Sequence, residues 1–213
     1  MAQPSHPVIN PGKRAIAAGR TGSGKSTLAK WLLQVSPGHW IILNPKNTRA
    51  YDSLPDSNIV EGIDIPKIRE SIDEFRFTVV TPKPNQLAPE TLDLFINWII
   101  SDYTNIGVCI DELYAVHKNG VAGEGLIGLL TRGRELKQSF FGLTQRPAWL
   151  SKFLFSEADY IIGMSLNLEA DRKRMFEFTG KKKFLEKLPE RQWLWYDVGK
   201  DHLREFNPVP IAK

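Results

Sequence analysis

Short apolar runs alternate with amphipathic stretches over the first 165 of the 213 residues. The runs at 14–18, 39–43, 75–80, 107–110, 139–145 and 160–164 are too continuously apolar for one-sided strands and too short for helices. They predict strands covered on both faces. Between them, apolar residues at helical spacing predict helices over 27–33, 65–74, 89–101, 126–136, 149–156 and 169–178. In the third of these the spacing is carried by Leu92, Phe95, Ile96, Ile99 and Ile100. Residues 50–62 mix turn signals with a short strand at 58–60, and 116–125 reads as a glycine-bearing loop. The segments 193–196 and 202–206 predict a closing hairpin. Strands and helices in this order imply an α/β fold, a mostly parallel central sheet flanked by helices on both faces, with a C-terminal β-hairpin. Residues 1–12 read as a flexible arm and 13–213 as a single domain.

Three of these strands end in polar residues of a kind that does chemistry. The first runs into Gly19-Arg20-Thr21-Gly22-Ser23-Gly24-Lys25-Ser26, followed by Thr27 and a helix. This fits G-x-x-x-x-G-K-[ST] in its strand–loop–helix setting, the phosphate-binding loop of nucleoside triphosphatases. Consecutive backbone N–H groups and a helix N-terminus make a concave site for an anion. Residues 19–27 are therefore the expected ATP-binding segment, with Lys25 reaching the β- and γ-phosphates and the Ser26 hydroxyl ligating Mg2+. The strand 107–110 ends in Asp111-Glu112. Asp111 suits the Mg2+ site, and Glu112 suits orientation and deprotonation of an attacking water. The strand 139–145 ends in Thr144-Gln145, where the amide of Gln145 can contact both the γ-phosphate and the water. Ligands of parallel sheets lie beyond the carboxyl ends of the strands, so the three stations are expected to converge.

Composition narrows the setting. The net charge of +4 is compatible with a nucleic-acid partner. The single cysteine, Cys109, excludes an internal disulfide or a multi-cysteine metal site and points to a reducing, intracellular setting. The histidines at 6, 39, 117 and 202 show no metal-ligand spacing. The residues at 1–7 lack the apolar stretch of a secretory signal, so none is expected, and no apolar run approaches the ~20 residues of a membrane helix.

The stretch Phe141-Gly142-Leu143-Thr144-Gln145-Arg146-Pro147 resembles the strand and "TQRP" signature of the FtsK/HerA superfamily of DNA-pumping ATPases. Asn44-Pro45-Lys46 resembles that superfamily's "D-P-K" turn, with Asn in place of Asp. The likeness covers residues 13–206, and the small size is most similar to the genome-packaging ATPases of tailless, membrane-containing double-stranded DNA viruses. It implies an extra strand between the two phosphate-site strands, a catalytic glutamate and a hexameric ring of identical subunits. It also implies an arginine given by one subunit to the next. Arg134, eleven residues before Gln145, matches that arginine's spacing, and Arg132 is the neighbouring alternative. The partners so implied are double-stranded DNA gripped without regard to sequence, further copies of the chain, and capsid-vertex or viral membrane proteins. The implied location is the virion or host cytoplasm.

Lys118, in the loop after Glu112, is the expected contact to DNA phosphates, because that loop adjoins the catalytic strand. The basic cluster of Arg172, Lys173, Arg174 and Lys181–Lys183 is diluted by Glu169, Asp171, Glu177 and Glu186 and reads as a solvated helix face. Three other readings stay open from the residues alone: an ATPase for extrusion or conjugative transfer of DNA or protein, a small-molecule kinase, and a non-catalytic nucleotide-binding module.

Overall fold

The computed structural model describes residues 6–118 and 120–209, of which the Lys118 side chain is not described. In chain order the elements are β1 (Arg14–Ala18), α1 (Lys25–Val35), β2 (His39–Leu43), β3 (Ser57–Glu61), α2 (Ile65–Glu74) and β4 (Phe77–Thr81). There follow α3 (Pro89–Asp102), β5 (Ile106–Ile110), β6 (His117–Lys118), β7 (Val121–Ala122), α4 (Glu124–Arg132) and β8 (Ser139–Thr144). The chain closes with α5 (Lys152–Ser156), β9 (Tyr160–Gly163), α6 (Glu169–Thr179), β10 (Trp193–Asp197) and β11 (His202–Phe206).

Nine strands form one sheet in the order β11-β10-β9-β1-β8-β5-β2-β4-β3. From β9 to β3 every pairing is parallel, while β10 is antiparallel to β9 and to β11. Side chains alternate between two buried layers, as pleating dictates. Ile16, Ile41, Val80, Val108, Ile110, Phe140 and Ile161 face a layer shared with α2, α3, α4, α5 and α6. Ala15, Ala17, Trp40, Ile42, Val79, Cys109, Phe141 and Ile162 face the other, covered by Leu28, Ala29, Leu32 and Leu33 of α1. The small Ala15 and Ala17 leave room for α1 to lie close behind the phosphate loop. Trp193 and Trp195 belong to this second layer, and Trp193 stacks on Phe206 with ring centroids 4.3 Å apart.

The expected fold is present, with local departures. The helix at 126–136 begins two residues earlier and ends at Arg132, after which tight turns pass through Arg134 and a left-handed Lys137 (φ 54°). The glycine-bearing loop contains the small ladder β6–β7. The helix at 149–156 is a single 3-10 turn at Pro147–Trp149 and then the short α5. The basic cluster is not uniformly solvated: Arg172 donates to the carbonyls of Leu166, Asn167 and Leu185, tying α6 to the segments around it.

Asp159 anchors the entry of β1. It accepts from Lys13 Nζ at 2.9 Å, from Arg14 N at 3.0 Å and from Arg14 Nε at 3.0 Å. Burial alone would raise its pKa; the Lys13 and Arg14 donors outweigh burial and hold it below the ordinary carboxylate value. A carboxyl depressed in the folded state stabilises above the unfolded pKa of about 3.9 and loses that contribution as pH falls through the folded value. Asp159→Asn is therefore expected to cost about 1.5–3 kcal/mol at pH 7. In thermal melts, the gap to the native chain should close as the pH is taken below about 4. A gap that stays constant with pH would rule out the charge as its source.

Candidate active site

β8 lies between β1 and β5, so the strands carrying the phosphate loop, Gln145 and Asp111 are consecutive and parallel. Their carboxyl ends therefore share one edge of the sheet. The loop leaves β1 with Gly19 N bonded to the Thr144 carbonyl (3.1 Å) and Arg20 N to the Ser165 carbonyl (2.8 Å). It is thus sewn to both flanking strands. Gly24 immediately precedes α1 with φ 90°, a conformation that side chains other than glycine's strongly resist. That turn releases the first amides of α1 toward the cleft, since no side chain caps them.

Lys25 is 8% exposed and Asp111 5%. Burial pulls the Lys25 pKa down, while Asp111 and Glu112 pull it back up. Burial pushes the Asp111 carboxyl up to about 6 against the opposing charge of Lys25. A desolvated carboxylate of this kind gains from a cation placed beside it. Thr21 Oγ1 donates to Gln145 Oε1 at 2.6 Å, closing the loop onto the end of β8. Arg20, Thr21, Gly22, Gly24, Lys25, Ser26, Thr27, Lys46, Thr48, Asp111 and Gln145 line one open cleft of about 360 Å³. The side chain of Glu112, 12% exposed, is held at the same place by Lys46, whose Nζ lies 2.6 Å from its Oε2.

A second cleft of about 280 Å³ opens on the other side of the loop, at Gly22, Gly24 and Thr27. Met164, Trp193 and Val209 give it apolar walls and Arg191 closes its rim. A triphosphate clasped by the loop can extend its planar base into this space.

The structure thus brings together residues 19–27, Asp111, Glu112 and Gln145. Arg134 is not among them. Its backbone packs against Gly12, before β1, so it stands at the opposite edge of the sheet from its own phosphate loop. Two functional candidates escaped sequence reasoning. Lys46 was marked only as the last residue of the turn that resembles D-P-K, with no role attached to it. Asp171, grouped with the solvated charges, is 2% exposed. It receives Arg146 Nε and Ala148 N, both at 3.1 Å, and so holds the segment after Gln145 in place. Arg146 lies over the Trp149 ring at 4.0 Å.

The departure at Asn44 has a physical reason. Its amide donates to the Thr48 carbonyl (2.9 Å) and its oxygen accepts from Thr48 N (3.2 Å). An ionised Asp could make only the second bond.

No protein-family model matches the chain. It is 30% identical to the DNA packaging ATPase P9 of Enterobacteria phage PRD1 over 217 residues, covering 95% of this chain and 90% of that protein. The chain belongs to the FtsK/HerA-like DNA-packaging ATPases. Among solved structures, it is similar to the genome packaging NTPase B204 of Sulfolobus turreted icosahedral virus 2 in complex with AMPPCP. The TM-score there is 0.74 at 19% identity, over 94% of this chain and all of that one. VirB4 of Thermoanaerobacter pseudethanolicus shares the fold with a TM-score of 0.68 at 11% identity, over 93% of this chain and 89% of that one. The superfamily's extra strand is β8.

Proposed function

We propose that the chain is an ATP-hydrolysing motor that translocates double-stranded DNA, packaging a viral genome into a preformed capsid. The observation that carries this reading is the single cleft in which the phosphate loop, Asp111 and Gln145 meet, with Glu112 at its margin. Membership in the packaging family supports the substrate.

Backbone amides of residues 19–27 hold the phosphates, and Lys25 offsets their charge. Ser26 and Asp111 are the oxygen donors that would hold Mg2+. A hydroxyl and a carboxylate fit this hard cation, which keeps most of its shell as water and phosphate oxygen. When bound, Mg2+ supplies charge stabilisation to the reacting phosphoryl group. Glu112 orients a water against the terminal phosphorus and takes its proton, giving ADP and inorganic phosphate. Gln145 reports the γ-phosphate to β8. The apolar cleft at Met164 and Trp193 takes the base.

Identical subunits form a ring, a hexamer by analogy with the superfamily, in which Arg134 acts on the neighbouring site and Arg132 is its alternate. No described helix is long and apolar enough to cross a membrane. Attachment to a capsid vertex or viral membrane protein, in the virion or host cytoplasm, completes the reading.

The grip on DNA is assigned to Lys118, on the β6–β7 hairpin a few residues beyond Glu112; its side chain lies outside the described residues. The test is ATP hydrolysis with and without long duplex DNA, for the native chain and Lys118→Glu. Duplex DNA is expected to stimulate phosphate release from the native chain. Lys118→Glu should bind ATP and lose the stimulated increment. A native rate indifferent to DNA, or a phosphorylated small molecule as product, would return the weight to the kinase or extrusion readings.

A further inference from the structure

Lys46 has a contact that the hydrolysis scheme above does not use. Its ammonium lines the phosphate cleft, yet it is held 2.6 Å from Oε2 of Glu112, the carboxylate assigned to the attacking water. The turn that presents it is built rigidly. Asn44 is 1% exposed and bridges both ways to Thr48, and Asn47 takes the left-handed conformation at φ 47° to tighten the bend. Asn44 N is bonded to the Val80 carbonyl, and Asp111 N to the Leu43 carbonyl, so this turn and the acidic pair spring from neighbouring strands in fixed register. Lys46 also feels the rest of the site, since its charge acts on both Lys25 and Asp111.

Two ammoniums and two carboxylates therefore share one cleft and balance each other. An ammonium 2.6 Å from Oε2 competes with water for that oxygen and holds the carboxylate toward the Lys46 turn. A terminal phosphate is a denser anion than a carboxylate and competes for the same ammonium, forming charge-assisted hydrogen bonds of its own. A diphosphate has no γ-phosphate to place beside it.

We propose that Lys46 is a positioning residue that latches Glu112. It occupies the Glu112 carboxylate until a triphosphate enters, then transfers to the terminal phosphate. The general base is thereby released only when there is a phosphate to cleave. This rests on the assignment of Glu112 as the base. Lys46 thus distinguishes triphosphate from diphosphate, and the ion pair restrains futile attack by water.

Equilibrium titration of the full chain with ADP and with a non-hydrolysable ATP analogue tests it, using Lys46→Met, Lys46→Arg, Glu112→Gln and the double variant Lys46→Met/Glu112→Gln. Lys46→Met is expected to bind ADP as the native chain does and the analogue about 10- to 100-fold more weakly, the usual span of a lost charged hydrogen bond. Lys46→Arg should keep most of the preference. Glu112→Gln, with no carboxylate competing for the ammonium, should bind the analogue more tightly and ADP unchanged, and the double variant should show no such gain. Equal loss of both nucleotides in Lys46→Met, no loss of either, or a Glu112→Gln gain that survives Lys46→Met overturns the latch. A native chain that binds neither nucleotide overturns the ATPase reading as well. A Glu112→Gln chain that hydrolyses ATP at full rate removes the base assignment, and the latch with it.

Discussion

Glu112→Gln is expected to bind ATP and to hydrolyse it about 10²–10⁴-fold more slowly, the usual yield of a positioned general base. The amide matches the carboxylate in shape but cannot accept the water's proton. The strand end and the 3-10 turn at Leu113–Val116 that follows it are held by backbone hydrogen bonds and buried Leu113 and Val116, none of which the substitution touches. Binding and phosphate release measured on one sample separate the two effects. A variant within tenfold of the native rate would place the base elsewhere. A variant that neither binds nor cleaves would mean that the cleft itself had been damaged.

Arg134→Ala should lower the rate by about 10³–10⁵-fold, the span observed when an arginine supplied to a phosphoryl-transfer site is removed. The Arg134 backbone stands at the far edge of its own sheet, so any such role is played in the site of another subunit. Mixing decides this. Arg134→Ala and Glu112→Gln chains are each expected to be inactive. A mixed assembly should recover activity, because an Arg134→Ala site retains its glutamate and can borrow an arginine from a Glu112→Gln neighbour. Arg132→Ala serves as the comparison. A mixture as inactive as its components would deny Arg134 the trans role.

Much of the sheet was legible because the parallel strands from β9 to β4 are covered on both faces and read as apolar runs, unlike the partly exposed edge strand β3. The phosphate loop was legible because its requirements are local: a strand, a turn that only glycine makes easily, and a helix start. What was not legible depends on residues distant in sequence. Lys46 and Glu112 are brought together by the pairing of β2 with β5. Asp171 looked like one acid among many until α6 packed it beneath Arg146. Leu136 continued a helical pattern, yet the buried Gln138 side chain turns to the Ile100 and Tyr103 carbonyls and the chain leaves the helix before it. The glycines at 123 and 125 read as part of a glycine-bearing loop. They are instead places where α3 comes too close for a Cβ: Asp93 accepts from Gly125 N and Leu126 N, both at 2.9 Å, and a Cβ at Gly123 would lie 2.2 Å from its carboxyl carbon.

The placement of β8 has a mechanical consequence. This six-residue strand is about 20 Å long. It is bonded on both sides, with Gln145 just past one tip and the turns that hold Arg134 before the other. A strand so clamped moves as a rod. A displacement of Gln145 on the loss of a phosphate would be delivered at the same moment to the far tip of the strand. In a closed ring, that rod would let each subunit's spent fuel set the cue for the next stroke, so that the order of firing is written into the sheet itself.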